Sequence, residues 1–130
     1  IVATGSTTVQ DVSMRLRIAG TDNSSANYSR SLFGQSSSSL VGQLLTAQTQ
    51  WAGVASILST TRSFSQLNIF NPFLVQTTAL IADVVENPNG SISQRRAMYG
   101  TNVTTSYTGF TLFPTSGTIA GTVSVYGYKI

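Results

Sequence analysis

Ser116-Gly117-Thr118-Ile119-Ala120-Gly121-Thr122-Val123-Ser124-Val125-Tyr126-Gly127-Tyr128-Lys129-Ile130 closes the chain, and its alternation sets the fold class. Ile119, Val123 and Val125 fall on one side of an extended backbone; Ala120, Thr122, Ser124, Tyr126 and Tyr128 fall on the other. Successive side chains of a strand point to opposite faces, and β-branched and aromatic residues suit a pleated surface. The stretch therefore reads as a β-strand opened by a Ser-Gly turn. A terminal strand of this strength is expected to be stitched into the middle of a sheet.

The same period of two recurs upstream. Val12, Met14, Leu16 and Ile18 alternate with Arg15 and Arg17. Residues 27–33, 62–70, 76–85, 91–99 and 107–113 repeat the pattern, and a shorter strand is expected over 55–59. Turn chemistry separates them: a Gly, Asp, Asn and Ser cluster over 20–27, a serine-rich loop over 34–39, Asn71-Pro72, Asn87-Pro88-Asn89-Gly90 and Pro114. Asn-Gly favours a tight hairpin, and Pro lacks the donor that a sheet ladder needs. The segment 40–54 reads differently. Leu40, Val41, Leu44 and Leu45 have helix-like spacing, which allows one short helical turn. Residues 76–85 are apolar on both faces, which suits a strand lying between two surfaces, a subunit interface included.

About eight short strands with regular turn signals predict an all-β fold: an antiparallel β-sandwich, jelly-roll-like. Residues 1–11 are small and weakly patterned and read as an N-terminal arm; residues 12–130 form a single domain of a size that buries one sizeable core. Ile rather than Met opens the sequence, which leads to the expectation of a processed or trimmed chain.

Composition narrows the chemistry. Charged residues make up 8% of the chain, while 19 Ser and 18 Thr supply most of its polar surface, a balance that favours strands over long helices. The net charge of +3 comes from seven basic and four acidic residues, so it reflects scarcity of charge rather than a basic groove, and nucleic-acid binding is not expected. There is no Cys, which excludes disulfides and thiolate metal sites. There is no His, which removes the commonest general base and most transition-metal sites. No apolar run reaches transmembrane length, and nothing at the start resembles a signal peptide, so no membrane insertion is expected.

Few residues offer a site. The acids are Asp11, Asp22, Asp83 and Glu86. Asp83 and Glu86 are close enough in sequence to be compared with a glycosidase pair, but solvated positions beside a turn are the simpler expectation. Asp22-Asn23 could offer oxygen ligands to calcium, with an Asx turn as the alternative. Of Arg95 and Arg96 only one can face inward, and Asp83 on the neighbouring strand is its expected partner. Trp51, Tyr28 and Tyr99 are the candidate ligand-binding residues, as rings that can stack on sugars or anchor an interface. Trp51 leads because it sits in the irregular polar segment. No catalytic residue, metal ligand or cofactor is expected.

Four pieces of the sequence carry a family resemblance. Met14-Arg15-Leu16-Arg17-Ile18 leads into Gly20-Thr21-Asp22-Asn23 and Asn27-Tyr28; Leu67-Asn68-Ile69-Phe70-Asn71-Pro72 follows; then Tyr107-Thr108-Gly109-Phe110-Thr111-Leu112; then the closing stretch from Ser116 to Tyr128. In order and spacing, from about Val12 to the end, the chain resembles small β-domains of tailed-bacteriophage virion proteins, found at the C-terminus of tail fibres and other appendages. The resemblance implies a non-enzymatic structural protein on the particle surface, a homotrimer at a fibre tip that meets other virion proteins or a host-surface glycan. A capsid-decoration or head-fibre protein is the alternative within that class; a carbohydrate-binding module of an enzyme is the alternative outside it.

Overall fold

The computed structural model describes residues 1–4, 10–36, 39–57, 63–86 and 92–127. Eleven strands and no helix occupy them. In chain order they are β1 (Val2–Thr4), β2 (Gln10–Ile18), β3 (Thr21–Asp22), β4 (Tyr28–Ser36), β5 (Ser39–Gln48), β6 (Trp51–Ile57), β7 (Ser63–Phe70), β8 (Ala79–Glu86), β9 (Ser93–Thr101), β10 (Gly109–Pro114) and β11 (Ala120–Thr122). Every pairing is antiparallel.

The large sheet has seven strands in the order β11-β1-β7-β8-β9-β4-β5. The small sheet is centred on β2, with β10 on one side and β6 and β3 sharing the other. The two sheets pack face to face as a sandwich. Alternation explains the core: Val12, Met14 and Leu16 from β2 meet Leu80, Ala82, Ala97 and Tyr99 from the large sheet, with Trp51, Val54, Ala55 and Ile57 from β6 between them. Phe110 and Leu112 of β10 and Leu67 and Ile69 of β7 pack around this cluster.

Two irregularities aim side chains. Ile18 pairs with Thr21 across Ala19 and Gly20, both at positive φ, as a two-residue type I′ hairpin requires. Between Val12 and Met14, β2 advances two residues while β6 advances from Ala55 back to Trp51, with Gly53 at φ 74° inside the bulge. The bulge turns Trp51 into the core.

Three expectations are corrected. Residues 39–48 are strand, not helical: β5 pairs with β4 from Ser36↔Ser39 to Tyr28↔Gln48, and this ladder overrides the i, i+4 spacing of Leu40, Val41, Leu44 and Leu45. At its described residues, 1–4, 10 and 11, the expected N-terminal arm is part of the fold. β1 lies between β11 and β7, and the Ile1 ammonium donates to the Ser65 carbonyl at 2.7 Å. The closing stretch is not stitched into the middle of a sheet. Among its described residues only Ala120, Gly121 and Thr122 pair, with Thr4, Ala3 and Val2, and they form the outermost strand. The Asn87–Gly90 turn expected from sequence lies outside the described residues, although β8 and β9 do pair as the two arms of such a hairpin, Glu86 opposite Ser93.

Candidate functional site

Registers across β7, β8, β9, β4 and β5 define the outward face of the large sheet row by row. One row runs Phe64, Val85, Gln94, Gln35, Leu40; the next runs Gln66, Asp83, Arg96, Phe33, Gly42; the third runs Asn68, Ile81, Met98, Ser31, Leu44. Phe70 and Ala79 begin a fourth. On this face Phe33 is 65% exposed, Leu40 74%, Leu44 73% and Met98 57%, and Phe64, Phe70 and Val85 are each about half exposed. At ~200 Å² for a fully exposed large side chain, these seven leave roughly 800 Å² of apolar surface in water. The largest apolar patch of an ordinary monomer is about 300–600 Å². One ion pair sits among them, Arg96 Nε to Asp83 Oδ1 at 3.6 Å.

The outward face of the small sheet is built for solvent. Arg15 donates to the Thr49 carbonyl and to Gln50 Oε1 and lies 4.9 Å above the Phe113 ring. Arg17 pairs with Asp22 at 3.2 Å, and Thr111 Oγ1 donates to the same carboxylate at 2.6 Å. The two outer faces of one sandwich thus differ in kind.

Between the sheets lies a polar cluster. Arg95 Nη2 donates to Asp11 Oδ1 and to Ser56 Oγ, both at 3.0 Å, and Arg95 Nε is 3.9 Å from Glu86 Oε1. Arg30 Nη1 donates to the Ala52 carbonyl at 2.8 Å, its Nη2 donates to Gln43 Oε1, and the Tyr99 hydroxyl donates to the same Ala52 carbonyl at 3.0 Å. A Cβ at Gly53 would stand 3.0 Å from Arg30 Nη1 and 3.4 Å from Asp11 Oδ2, so glycine is what lets these charges approach. Beside the cluster opens a cavity of about 420 Å³, with Leu32 and Val41 on its apolar side and Gln43, Glu86, Ser93 and Arg95 on its polar side. Both carboxylates here are held by Arg95, which gives the cluster the character of a charge network and not of a free acid–base pair.

Arg95 is the inward arginine, and its partners are Asp11 and Glu86. Asp83 pairs instead with the outward Arg96, because Asp83 and Arg96 are directly opposed on the outer face. Glu86 is buried rather than solvated: it lies three residues beyond Asp83 and so on the opposite face of β8. At Asn23 the Asx turn forms, with Oδ1 accepting from the Ser25 amide at 3.2 Å, and Asp22 is engaged by Arg17 and Thr111.

The sequence-derived ligand residues Trp51, Tyr28 and Tyr99 come together, but in the core, at 0%, 1% and 4% exposure. Trp51 meets Tyr28 edge-on at 5.6 Å and Tyr99 at a tilted 5.9 Å, and its Nε1 donates to the Gly100 carbonyl at 3.1 Å. The Tyr28 hydroxyl donates to the Asn23 carbonyl at 2.8 Å and accepts from the Leu16 amide at 3.1 Å. Burial pushes both tyrosines up to about 12. No ring of the three presents a face to a ligand. The residues that sequence reasoning missed are Phe33, Leu40, Leu44 and Met98; the available signal was that their strands carry large apolar side chains on both faces.

Among the described residues no group of three or more His, Cys, Asp and Glu side chains is placed to hold a metal ion. No protein-family model, curated protein or solved structure matches the chain.

Proposed function

We propose that this chain is a structural assembly domain of a virion, a homo-oligomer, with three copies favoured, that joins neighbouring proteins of a phage appendage and presents its small sheet to the outside. The observation that carries the reading is the apolar outward face of the large sheet. Its roughly 800 Å² equals the area that one partner contributes to a standard stable interface. The occupant we assign to it is a second copy of this chain. The face carries one acid and one base beside each other, Asp83 and Arg96, so a like face meets it without a net charge clash. The hydroxyl- and arginine-covered face of the small sheet supports the complementary half of the reading, a side that stays in water. The virion assignment itself rests on the resemblance of the four sequence pieces.

The test is the mass of the folded chain in solution, by light scattering, against the 13.8 kDa of one copy. An oligomer is expected for the natural sequence. Phe33→Asp combined with Leu44→Asp is expected to give a monomer with an unchanged far-ultraviolet circular dichroism spectrum, since both side chains point away from the core. A natural sequence that is monomeric at high concentration overturns the reading. Antibody labelling of intact particles tests the location: absence of label from every surface structure removes the virion assignment.

A further inference from the structure

We infer that residues 118–127 of one copy add as a strand to the free edge of β5 in a neighbouring copy, closing the oligomer head to tail. This inference rests on the proposal that the chain self-associates and assigns how it does so.

Three observations carry it. First, the described part of the closing stretch, residues 116–127, is hardly paired within its own chain. Only Ala120–Thr122 forms a ladder, residues 123–127 form none, and Val125 and Tyr126 are 70% and 82% exposed. A segment whose local preference is strand but whose backbone donors and acceptors face water is a template for pairing with another chain. Second, the opposite end of the same sheet offers a matching edge. β5 is ten residues long and, among the described residues, is bonded on one side only, by β4, and is the last strand of the sheet. Residues 118–127 span the same length. Third, neither edge is blocked by charge or by Pro. Ser39–Gln48 and residues 116–128 contain no charged residue and no Pro, two of the devices with which sheets block edge-to-edge pairing, and the bulge at Ala47 lies at one end of β5 and leaves residues 39–45 in regular register.

The two edges cannot satisfy each other within one chain. Strands in a sheet lie ~4.8 Å apart, so the six steps from β11 to β5 separate them by roughly 29 Å. The contact is therefore between copies, and it is heterologous: the tail of one meets the β5 of the next. Such contacts close into a ring when the rotation permits. In a ring built this way the large sheets continue from copy to copy, and their apolar outward faces turn toward a shared interior. Strand addition supplies main-chain hydrogen bonds, and alternate side chains set the register.

The chain has no Cys, so engineered cysteines report without background. One preparation carries Leu44→Cys. A second, with a different affinity tag, carries Thr122→Cys, Val123→Cys or Ser124→Cys, which include the residue opposite Leu44 when 118–127 lies full length along β5, residue 122 in antiparallel and residue 123 in parallel pairing. The two are unfolded together, refolded and oxidised. A disulfide requires Cα atoms within ~7 Å. The expected result is a cross-linked pair containing both tags for at least one of the three positions, with no cross-link when each preparation is oxidised alone. Deleting residues 116–130 is expected to leave a folded chain that no longer oligomerises. An oligomer that gives no mixed cross-link at any position, or that survives the deletion, overturns strand addition and leaves self-association through the apolar face standing. A monomeric natural sequence overturns both.

Discussion

Replacing Trp51 by Ala removes the largest side chain of the core. The indole is fully buried, touches Tyr28 and Tyr99 with its faces and edge, and bonds the Gly100 carbonyl. Loss of such a ring costs the transfer free energy of its surface plus the cavity left behind, about 3–5 kcal/mol. The lost hydrogen bond adds about 1 kcal/mol and not more, because the Gly100 carbonyl also accepts from Ser29 Oγ at 3.3 Å. Small domains are stable by about 5–15 kcal/mol, so Trp51→Ala is expected to sit close to unfolding at room temperature. Trp51→Phe keeps an aromatic ring between the tyrosines and loses the N–H and part of the volume; about 1–2 kcal/mol is expected. Urea denaturation followed by far-ultraviolet circular dichroism measures both, since the only tryptophan is the one removed. A change below about 1 kcal/mol for Trp51→Ala, with an unchanged denaturant slope, refutes the reasoning and returns Trp51 to the surface.

Alkaline stability tests the same cluster. Tyr28 and Tyr99 ionise near 10.0 in an unfolded chain and at about 12 in the folded one, because burial penalises the phenolate. Below pH 10 both states hold the protons and stability does not depend on these groups. From pH 10 to about 12 the unfolded chain releases protons that the folded chain keeps, so stability falls, by ~2–3 kcal/mol for each ring. A urea midpoint that stays level through this window contradicts the burial of the phenols. The glycines of β4 and β5 offer a paired test. At Gly34 a Cβ would stand 2.7 Å from the Gln94 carbonyl oxygen and 3.1 Å from Arg95 Cα, so Gly34→Ala must separate β4 from β9 and is expected to cost about 1–3 kcal/mol. At Gly42 the nearest atom is 3.9 Å away, and Gly42→Ala is expected to be close to neutral; equal effects in thermal melts would contradict the register.

The inward side of β2 was legible at Val12, Met14 and Leu16, with Arg15 and Arg17 marking the other, but Ile18, expected inward, is 43% exposed where the strand enters its hairpin. In β7 the pairing of Leu67 with Ile69 against Phe64 with Phe70 was equally readable, but not which pair faced inward. Apolar side chains on both sides leave that choice to the neighbouring strands. Residues 40–48 misled for a related reason: apolar positions three and four apart satisfy a helix stripe, and a bulged strand whose Ala47 takes a positive φ shows the same spacing. Trp51 reads from sequence as part of an irregular polar segment because the two-residue bulge of β6 breaks the period of two.

The sequence by itself determined the all-β class, a turn beginning at Gly20, the absence of thiol and imidazole chemistry, and the limited supply of charge. These are local or compositional properties, fixed by side-chain period, turn chemistry and residue counts. Only the tertiary structure decided that Arg95 is held by Asp11 and Glu86, that Trp51, Tyr28 and Tyr99 form a core, and that Phe33, Leu40, Leu44 and Met98 gather on one outward face. Those groupings join residues far apart in the chain, and they depend on strand order and register. The closing stretch shows the division most clearly. Its alternation states that it is a strand, but the place a strand takes is set by its neighbours, and among the described residues of one chain this one has a single neighbour, β1, over three residues.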